Sequence, residues 1–244
     1  MQLAADYFGN SQLEILLTFT GIIITSLCMI TIKTHIQRKQ GSFYLLNIVF
    51  LISFVIMIFT SRWIVFIVVW EIISLSTALM LLWENKGLTN QYLIIQFLGS
   101  SILIFVILLA VQNGYTEIMP VREFWLQNLF VLGLGMKSAV FGFHFWLPAV
   151  HSQAPTPVSA ILSGWVVKLG FIMYLKLIPA GNNLLLILGF LMIFYGGIKA
   201  LIVSDIKVIL AYSSISQLGF IALGIGTGTV YGFWGVYFIL SPMD

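Results

Sequence analysis

Long, uninterrupted apolar runs dominate this sequence and leave few folds open to it. Most are about 20 residues long, the length an α-helix needs to cross the hydrocarbon core of a bilayer. Strands of a membrane barrel would instead alternate apolar and polar residues. The chain of 244 residues is 60% hydrophobic and 8% charged, whereas soluble domains carry about 25% charged residues. We therefore predict an all-α, polytopic bundle of transmembrane helices.

Eight full-length helices and a shorter ninth run are predicted from these stretches. They cover residues 12–33, 43–60, 63–83, 91–111, 125–147, 156–178, 183–203, 206–226 and 229–240. The fifth is predicted to be a broken helix, because Gly133, Gly135 and Gly142 interrupt it. A short polar hairpin at 148–155 is expected to separate it from the sixth helix.

The loop after the first helix carries the densest basic cluster, Lys33, His35, Arg38 and Lys39. Loops on the cytoplasmic or matrix side are enriched in Lys and Arg, so this loop is predicted to lie inside. An even number of predicted spans separates it from the hairpin at 148–155. Both loops are therefore expected on the same side.

Three ionisable residues, Glu71, Lys137 and Lys168, lie well inside predicted spans. A charge at the bilayer centre costs about 2.5–3.5 kcal/mol, so such residues usually serve a function. Desolvation disfavours a charged lysine and a nearby carboxylate favours it. We therefore predict a proton relay in which Glu71 and Lys137 form a gate and Lys168 is the next station. The structural alternative is that Glu71 pairs with one lysine and only fixes helix packing.

Other polar residues have simpler interpretations. Three lysines near helix ends are expected to extend to the lipid headgroups: Lys176, Lys199 and Lys207. Asp205 is expected to cap the eighth helix. His144 is interpreted as hydrogen-bonded hairpin structure, whereas His151 is a candidate for the proton entry route.

No residue pattern indicates a bound cofactor or metal. The single cysteine, Cys28, excludes an internal disulfide and any cysteine-based metal or iron–sulfur site. Two histidines without a cluster of carboxylates do not make a metal site, and no nucleotide-binding loop is present. We expect no cofactor on this chain, so electrons of any redox enzyme it serves would run through other subunits. The net charge of +3 is spread over loops and gives no nucleic-acid footprint.

The segment FHFWLPAVHSQAPTPVSAILSGWVVKLG closely resembles the signature of the antiporter-like, proton-translocating membrane subunits of respiratory complex I. The same signature occurs in Mrp-type sodium/proton antiporters and membrane-bound hydrogenases. The segments VVWEIISLS, LGMKSAVFGFHFW and SDIKVILAYSSISQLGF resemble further elements of this family. The likeness extends from about Phe43 to Phe220. The segment ILSGWVVKLG is most similar to the subunit-4 branch of the family and its Mrp counterpart.

The resemblance implies a role for each buried charge. Glu71 matches the family's gating carboxylate, Lys137 its broken-helix lysine and Lys168 the central lysine of the next helix. These roles agree with the relay predicted from the residues themselves.

The resemblance also implies a domain plan of two inverted five-helix units. In this chain we expect an N-terminal helix and basic loop at 1–42, one complete unit at 43–178 and a partial second unit at 179–244. Such a plan would fit a truncated or split subunit.

The implied function is proton translocation as a membrane-arm subunit of NADH:ubiquinone oxidoreductase. Abundant Ile and Phe point to an organellar gene, so we expect the mitochondrial inner membrane, with a bacterial inner membrane as the alternative. The expected partners are lipid and other membrane subunits of complex I, including one that supplies the missing half. Docking is expected through residues 183–240. Two alternatives stay open: a subunit of an Mrp-type cation/proton antiporter, and a structural remnant that only braces the membrane arm.

Overall fold

The computed structural model describes residues 11–35, 40–82, 86–178 and 181–240, and all regular structure in these ranges is helical. Ten helices, α1 to α10, occupy them: Ser11–His35, Gln40–Phe59, Trp63–Leu82, Lys86–Gln112, Phe124–Lys137, Trp146–Gln153, Thr156–Leu177, Asn183–Ile202, Ile206–Thr227 and Val230–Leu240. Seven of them, α1 to α4 and α7 to α9, are long and apolar enough to cross a membrane. The predicted polytopic helical bundle is confirmed.

The predicted broken helix at 125–147 is confirmed. Helix α5 ends at Lys137, and an irregular segment, residues 138–145, separates it from α6. The predicted polar hairpin at 148–155 is wrong over most of its length, because α6 covers Trp146–Gln153. Pro148 lies in the first turn of α6, where a missing N–H removes no intrahelical hydrogen bond. Only Ala154 and Pro155 connect α6 to α7.

Helix α7 contains one wide turn. Residues Leu162–Val166 form a π-helical turn between two α-helical parts. Such turns insert an extra residue and shift the direction of the side chains beyond them. Trp165 of this turn is buried against Phe54 of α2, with ring centroids 4.6 Å apart. The turn therefore sets the rotation of the part of α7 that carries Lys168.

One end of the bundle, which we call the outer end, is closed by hydrogen bonds that its loops make with one another and with helix ends. They join Ile118 N to Ser61 O, Val121 N to Leu177 O, and Asn182 N to Gly226 O. Glu14 in α1 forms an ion pair with Lys176 at the end of α7, so these helices run antiparallel. His35 at the end of α1, Gln40 at the start of α2 and the Ala154–Pro155 turn thus lie at the opposite, inner end. The side chains of the basic cluster at 33–39 lie outside the described residues.

The distribution of basic residues supports the names inner end and outer end. Of the described Lys and Arg residues, four lie at the inner end: Lys33, Lys86, Lys199 and Lys207. Arg38 and Lys39 follow Lys33 in the sequence and lie outside the described residues. Three fall at the outer end: Arg62, Arg122 and Lys176. The positive-inside rule therefore predicts that the inner end faces the cytoplasm or matrix.

Glycines bring α8 and α9 into close contact. A Cβ atom at Gly189 would lie 2.6 Å from Leu223 N, and one at Gly196 would lie 2.7 Å from Ser216 N. On the facing helix, a Cβ at Gly219 would meet Gly189 O at 2.8 Å. Small residues allow such backbone contact between membrane helices, where packing rather than water drives association. Asp205 caps α9 as predicted, accepting hydrogen bonds from Lys207 N and Val208 N.

Candidate functional site

The site begins at the break after α5. Ala139 has φ 54° and Gly142 has φ 93°, so the chain turns through left-handed conformations that end the helix. In a membrane, the carbonyls released by such a break need hydrogen-bond donors within the protein. Here Leu134 O accepts from Ser138 N at 3.0 Å, and Met136 O accepts from the Trp146 indole at 3.2 Å. The break is therefore stabilised by its own hydrogen bonds, and it places Lys137 at the end of a half-length helix.

Lys137 is buried at the centre of the bundle, with 1% of its surface exposed. Its Nζ lies 2.8 Å from Glu71 Oε1 and 2.5 Å from Ser100 Oγ. It also lies over the face of the Trp70 indole, 5.2 Å from the ring centroid, a position that favours a cation. The ion pair between Glu71 and Lys137 joins α3 to α5. The pairing expected from the sequence is therefore present.

Ser100 of α4 completes this centre. Its Oγ contacts Glu71 Oε1 and also lies 2.9 Å from Gln96 O. A hydroxyl has one proton to donate, so Ser100 donates either to the carboxylate or to its own helix while it accepts from Lys137. The next residue, Ser101, is exposed, and its Oγ donates to Phe97 O.

Sequence reasoning missed Gly99, which makes room for the lysine. A Cβ atom at Gly99 would lie 2.8 Å from Lys137 Cγ and 3.2 Å from Met136 Cβ. Gly133 of α5 also faces the α4 backbone, since its Cβ would lie 3.3 Å from Leu103 Cα. The available signal was a glycine next to a serine inside an apolar helix. Only the packing of α4 against α5 shows that this glycine leaves room for the Lys137 side chain.

Lys168 is not part of this cluster. Gly170 of α7 packs directly on Ser138, since a Cβ there would lie 1.6 Å from Ser138 Oγ. Two residues along a helix are separated by about 200°, so Lys168 is directed away from that contact. It is half-buried, and within the described part of the chain no ion pair or hydrogen bond to it is found. The two lysines are therefore not linked directly.

The two histidines lie in different surroundings. His151 is 2% exposed at the inner end, and its Nδ1 lies 2.6 Å from Ser159 Oγ. His144 lies in the irregular segment, and its ring contacts Phe141 and Tyr195 at centroid distances of 5.4 and 4.8 Å. In the described ranges, neither belongs to a group of three or more His, Cys, Asp or Glu side chains that would hold a metal ion.

Two of the helix-end lysines have protein partners, which the headgroup interpretation did not foresee. Lys176 pairs with Glu14 at 2.8 Å and also donates to Ile58 O. Lys207 donates to Ala154 O at 2.9 Å, in the turn before α7. Lys199 lies over the Tyr195 ring at 5.9 Å. The sequence could not indicate the contacts of Lys176 and Lys207, because their partners lie 53 to 162 positions away.

Residues 60–241 match the transmembrane family described as NADH:quinone oxidoreductase/Mrp antiporter, and this match covers well over half of the chain. The chain belongs to this family. The matched region includes Glu71, Lys137, Lys168 and His151. Membership in the family resembled by the sequence motifs is thus confirmed, while the subunit-4 branch stays a prediction.

Among curated relatives, a protein of Staphylococcus aureus strain MRSA252 that carries the name antiporter subunit mnhA2 is 35% identical. The alignment of 221 residues covers 80% of this chain and 28% of that relative. Its counterpart in strain JH9 is 33% identical over the same shares. The chain therefore spans little more than a quarter of the length of these relatives.

Solved structures share the fold. A chain of the Mrp complex from Dietzia sp. DQ12-45-1b superposes with a TM-score of 0.81 and 25% identity, covering 93% of this chain and 28% of that one. A chain of respiratory complex I from Thermus thermophilus superposes with a TM-score of 0.79 and 24% identity, covering 93% and 54%. The antiporter-like arrangement of helices is therefore common to both kinds of complex.

Proposed function

We propose that this chain translocates protons across a membrane through a relay centred on Glu71 and Lys137. The observation that carries the proposal is a fully buried ammonium, 2.8 Å from a carboxylate, at the broken end of a membrane helix. Intramembrane charges of this kind mark proton and ion pathways. The family assignment supports the same function.

The relay follows from the opposing influences on Lys137. Burial disfavours its charged form, and the negative charge of Glu71 restores that form. When Glu71 accepts a proton or moves away, the ammonium loses this stabilisation and releases a proton. When Glu71 is ionised again, Lys137 takes up another proton. Lys168 is proposed as the next proton site, since it lies on α7 with no charged partner in the described ranges. His151 is proposed to serve proton entry at the inner end.

The decisive experiment replaces Lys137 by Ala and by Arg. Ala removes the titratable group, and Arg keeps the charge but does not deprotonate in proteins. Both should abolish proton translocation, measured as acidification of membrane vesicles in which assembly is verified. Lys199→Arg, a change at the inner end of α8, is the matched control and should translocate at the parent rate. A Lys137→Arg variant that translocates normally while Lys137→Ala fails to assemble would favour the bracing role.

Two kinds of parent assembly are candidates. One is a proton-pumping NADH:quinone oxidoreductase, in which this chain would be a membrane-arm subunit and other subunits would carry the redox centres. The family description and the fold shared with complex I support it. The other is a cation/proton antiporter complex, supported by relatives up to 35% identical that are named antiporter subunits. In both, other membrane subunits are the proposed partners, and the exposed apolar side chains of α8 offer them a surface.

Identification of the proteins that co-purify with the chain separates these assemblies. Flavin and iron–sulfur subunits would support the oxidoreductase, and small membrane proteins alone would support the antiporter. A sodium gradient that drives proton movement would support the antiporter as well. The bacterial relatives favour a bacterial inner membrane over the mitochondrial one.

A further inference from the structure

Helix α7 packs against the broken end of α5 through a glycine. A Cβ atom at Gly170 would overlap Ser138 Oγ and lie 2.8 Å from Ser138 Cβ. It would also lie 3.4 Å from Leu134 O, the acceptor of the Ser138 hydroxyl. Cβ atoms in proteins essentially never lie within 3.0 Å of a neighbouring residue. Only glycine therefore permits the Gly170–Ser138 contact as it stands.

A tyrosine one turn further along α7 holds the same part of α5. The buried Tyr174 hydroxyl donates to Val131 O at 2.7 Å. A Cβ atom at Gly135 would lie 3.3 Å from Tyr174 Oη, so this glycine gives the hydroxyl access to the α5 backbone. Tyr174 and Gly170 are four residues apart and therefore lie on the same side of α7. Together they fasten the last two turns of α5, which end at Lys137, to α7.

Ser138 links the position of α7 to Lys137. The two residues are neighbours in the chain, and Ser138 has no exposed surface. The Ser138 N–H donates to Leu134 O at 3.0 Å and closes the last turn of α5. The next residue, Ala139, has φ 54°, a strained conformation that persists only where its surroundings fix it. A shift of Ser138 therefore also shifts the lysine beside it.

Lys168 lies on the other side of α7, two residues before Gly170. It is half-buried, and among the described residues it has neither an ion pair nor a hydrogen bond. A charged lysine gains from moving toward more polar surroundings, and a neutral lysine does not. The π-helical turn at Leu162–Val166 is a place where α7 can bend. A change of charge on Lys168 is therefore able to shift the part of α7 that carries Gly170.

We propose that the contact between Gly170 and Ser138 couples the charge of Lys168 to the buried ion pair. The inference rests on the proposed function, because it links two of its proton sites that are not in direct contact. When Lys168 gains or loses a proton, α7 shifts and carries Ser138 with it. Lys137 Nζ then moves relative to Glu71 Oε1, from which it lies 2.8 Å. No proton crosses the contact, so Gly170 and Ser138 are positioning residues.

The first test exchanges the partners of the contact. Gly170→Ala adds a Cβ that overlaps Ser138 Oγ, and translocation should fall about tenfold in assembled complexes. Ser138→Gly opens a gap instead and should slow translocation several-fold. The double variant Gly170→Ala/Ser138→Gly restores a contact between a side chain and a glycine, so it should recover most of the parent rate.

The control for this exchange is Gly197→Ala on α8. Its Cβ would meet only Ser216 Oγ, at 3.9 Å, so this variant should translocate like the parent. A double variant as slow as the slower single variant would overturn the contact as the cause of the loss.

An infrared measurement distinguishes coupling from packing alone. The carboxylate band of Glu71, identified by its loss in Glu71→Gln, reports the hydrogen bond with Lys137. Lys168→Met removes the charge and keeps the length of the side chain, so this band should shift from its parent position. In Ser138→Gly/Lys168→Met, the band should coincide with that of Ser138→Gly. A shift that persists without the Ser138 side chain, or no shift in Lys168→Met, would overturn the proposed coupling.

Lys137→Arg separates a failure of this coupling from a failure of the proposed function. If Lys137→Arg does not translocate while Gly170→Ala and Ser138→Gly match the parent, the relay stands and the coupling is overturned. If Lys137→Arg translocates like the parent, the relay itself is overturned and the coupling with it.

Discussion

Two lysine–glutamate pairs in this protein have the same length and different surroundings. Glu71–Lys137 and Glu14–Lys176 both have nitrogen–oxygen distances of 2.8 Å. The first lies at the bundle centre, where the Lys137 side chain has no exposed surface. The second lies at the outer end, with 21% of the Lys176 side chain and 27% of the Glu14 side chain exposed.

The difference shows which of the two ion pairs is suited to the proposed relay. At the outer end, Lys176 also donates to Ile58 O, so one lysine ties α1, α2 and α7 together. Water screens such a pair, and its charge state costs little to maintain. At the centre, the charge of Lys137 depends on Glu71, because the Lys137 side chain has no exposed surface while the Glu71 side chain is 24% exposed. A change in Glu71 therefore changes the state of Lys137, which a relay requires.

The sharpest test of this contrast neutralises each acid. Glu71→Gln leaves Lys137 without its counter-charge, and breaking a buried pair costs about 3–5 kcal/mol if the lysine stays charged. If the lysine instead becomes neutral, it no longer takes up and releases protons. Proton translocation should fall to background in both cases. Glu14→Gln should cost about 0–1 kcal/mol, as expected for exposed pairs, and should keep translocation. Vesicle acidification and thermal unfolding measure the two effects, and equal losses in both variants would remove the contrast.

A smaller effect is expected from filling the space beside Lys137. Gly99→Ala introduces a Cβ that would lie 2.8 Å from Lys137 Cγ, and overpacking of this kind costs about 1–3 kcal/mol. Displacement of the lysine from Ser100 should also slow translocation. Gly197→Ala is the matched control, because its Cβ would meet only Ser216 Oγ at 3.9 Å. A Gly99→Ala variant as stable and active as Gly197→Ala would show that the lysine position tolerates movement.

The smallest change in stability is expected in the loop between α4 and α5, at the outer end. The Tyr115 hydroxyl donates to Glu123 Oε2 at 2.6 Å, and this hydrogen bond holds the pKa of Glu123 below its usual value. A lowered folded-state pKa stabilises the protein above the pKa of the unfolded chain, and this contribution disappears as the pH falls through the folded value. Tyr115→Phe should therefore lower the unfolding temperature slightly at neutral pH and not at the acid end. Translocation should not change, and a change would extend the functional centre to this loop.

Several features could be predicted from the sequence because they depend on one helix alone and not on its neighbours. Length and apolarity determined the bundle of membrane helices, since the bilayer sets the length of any span. Asp205 was found as a cap because its partners lie two and three residues away. Glu71, Lys137 and Lys168 were found because a charge inside an apolar run is costly wherever the helix packs. These features need no knowledge of neighbouring helices.

Tertiary structure decided which of these groups act together. Glu71 and Lys137 are 66 positions apart, and their pairing depends on the rotation of α3 and α5 about their axes. The same holds for Ser100, which faces the lysine while Ser101 is exposed, and for Lys168, which is directed away from the Ser138 contact. A helix places every residue somewhere on its surface, but only packing against other helices selects which surfaces meet. The sequence by itself therefore determined the helices and the charges within them, and the packed bundle decided that one glutamate, one serine and one lysine form a single centre.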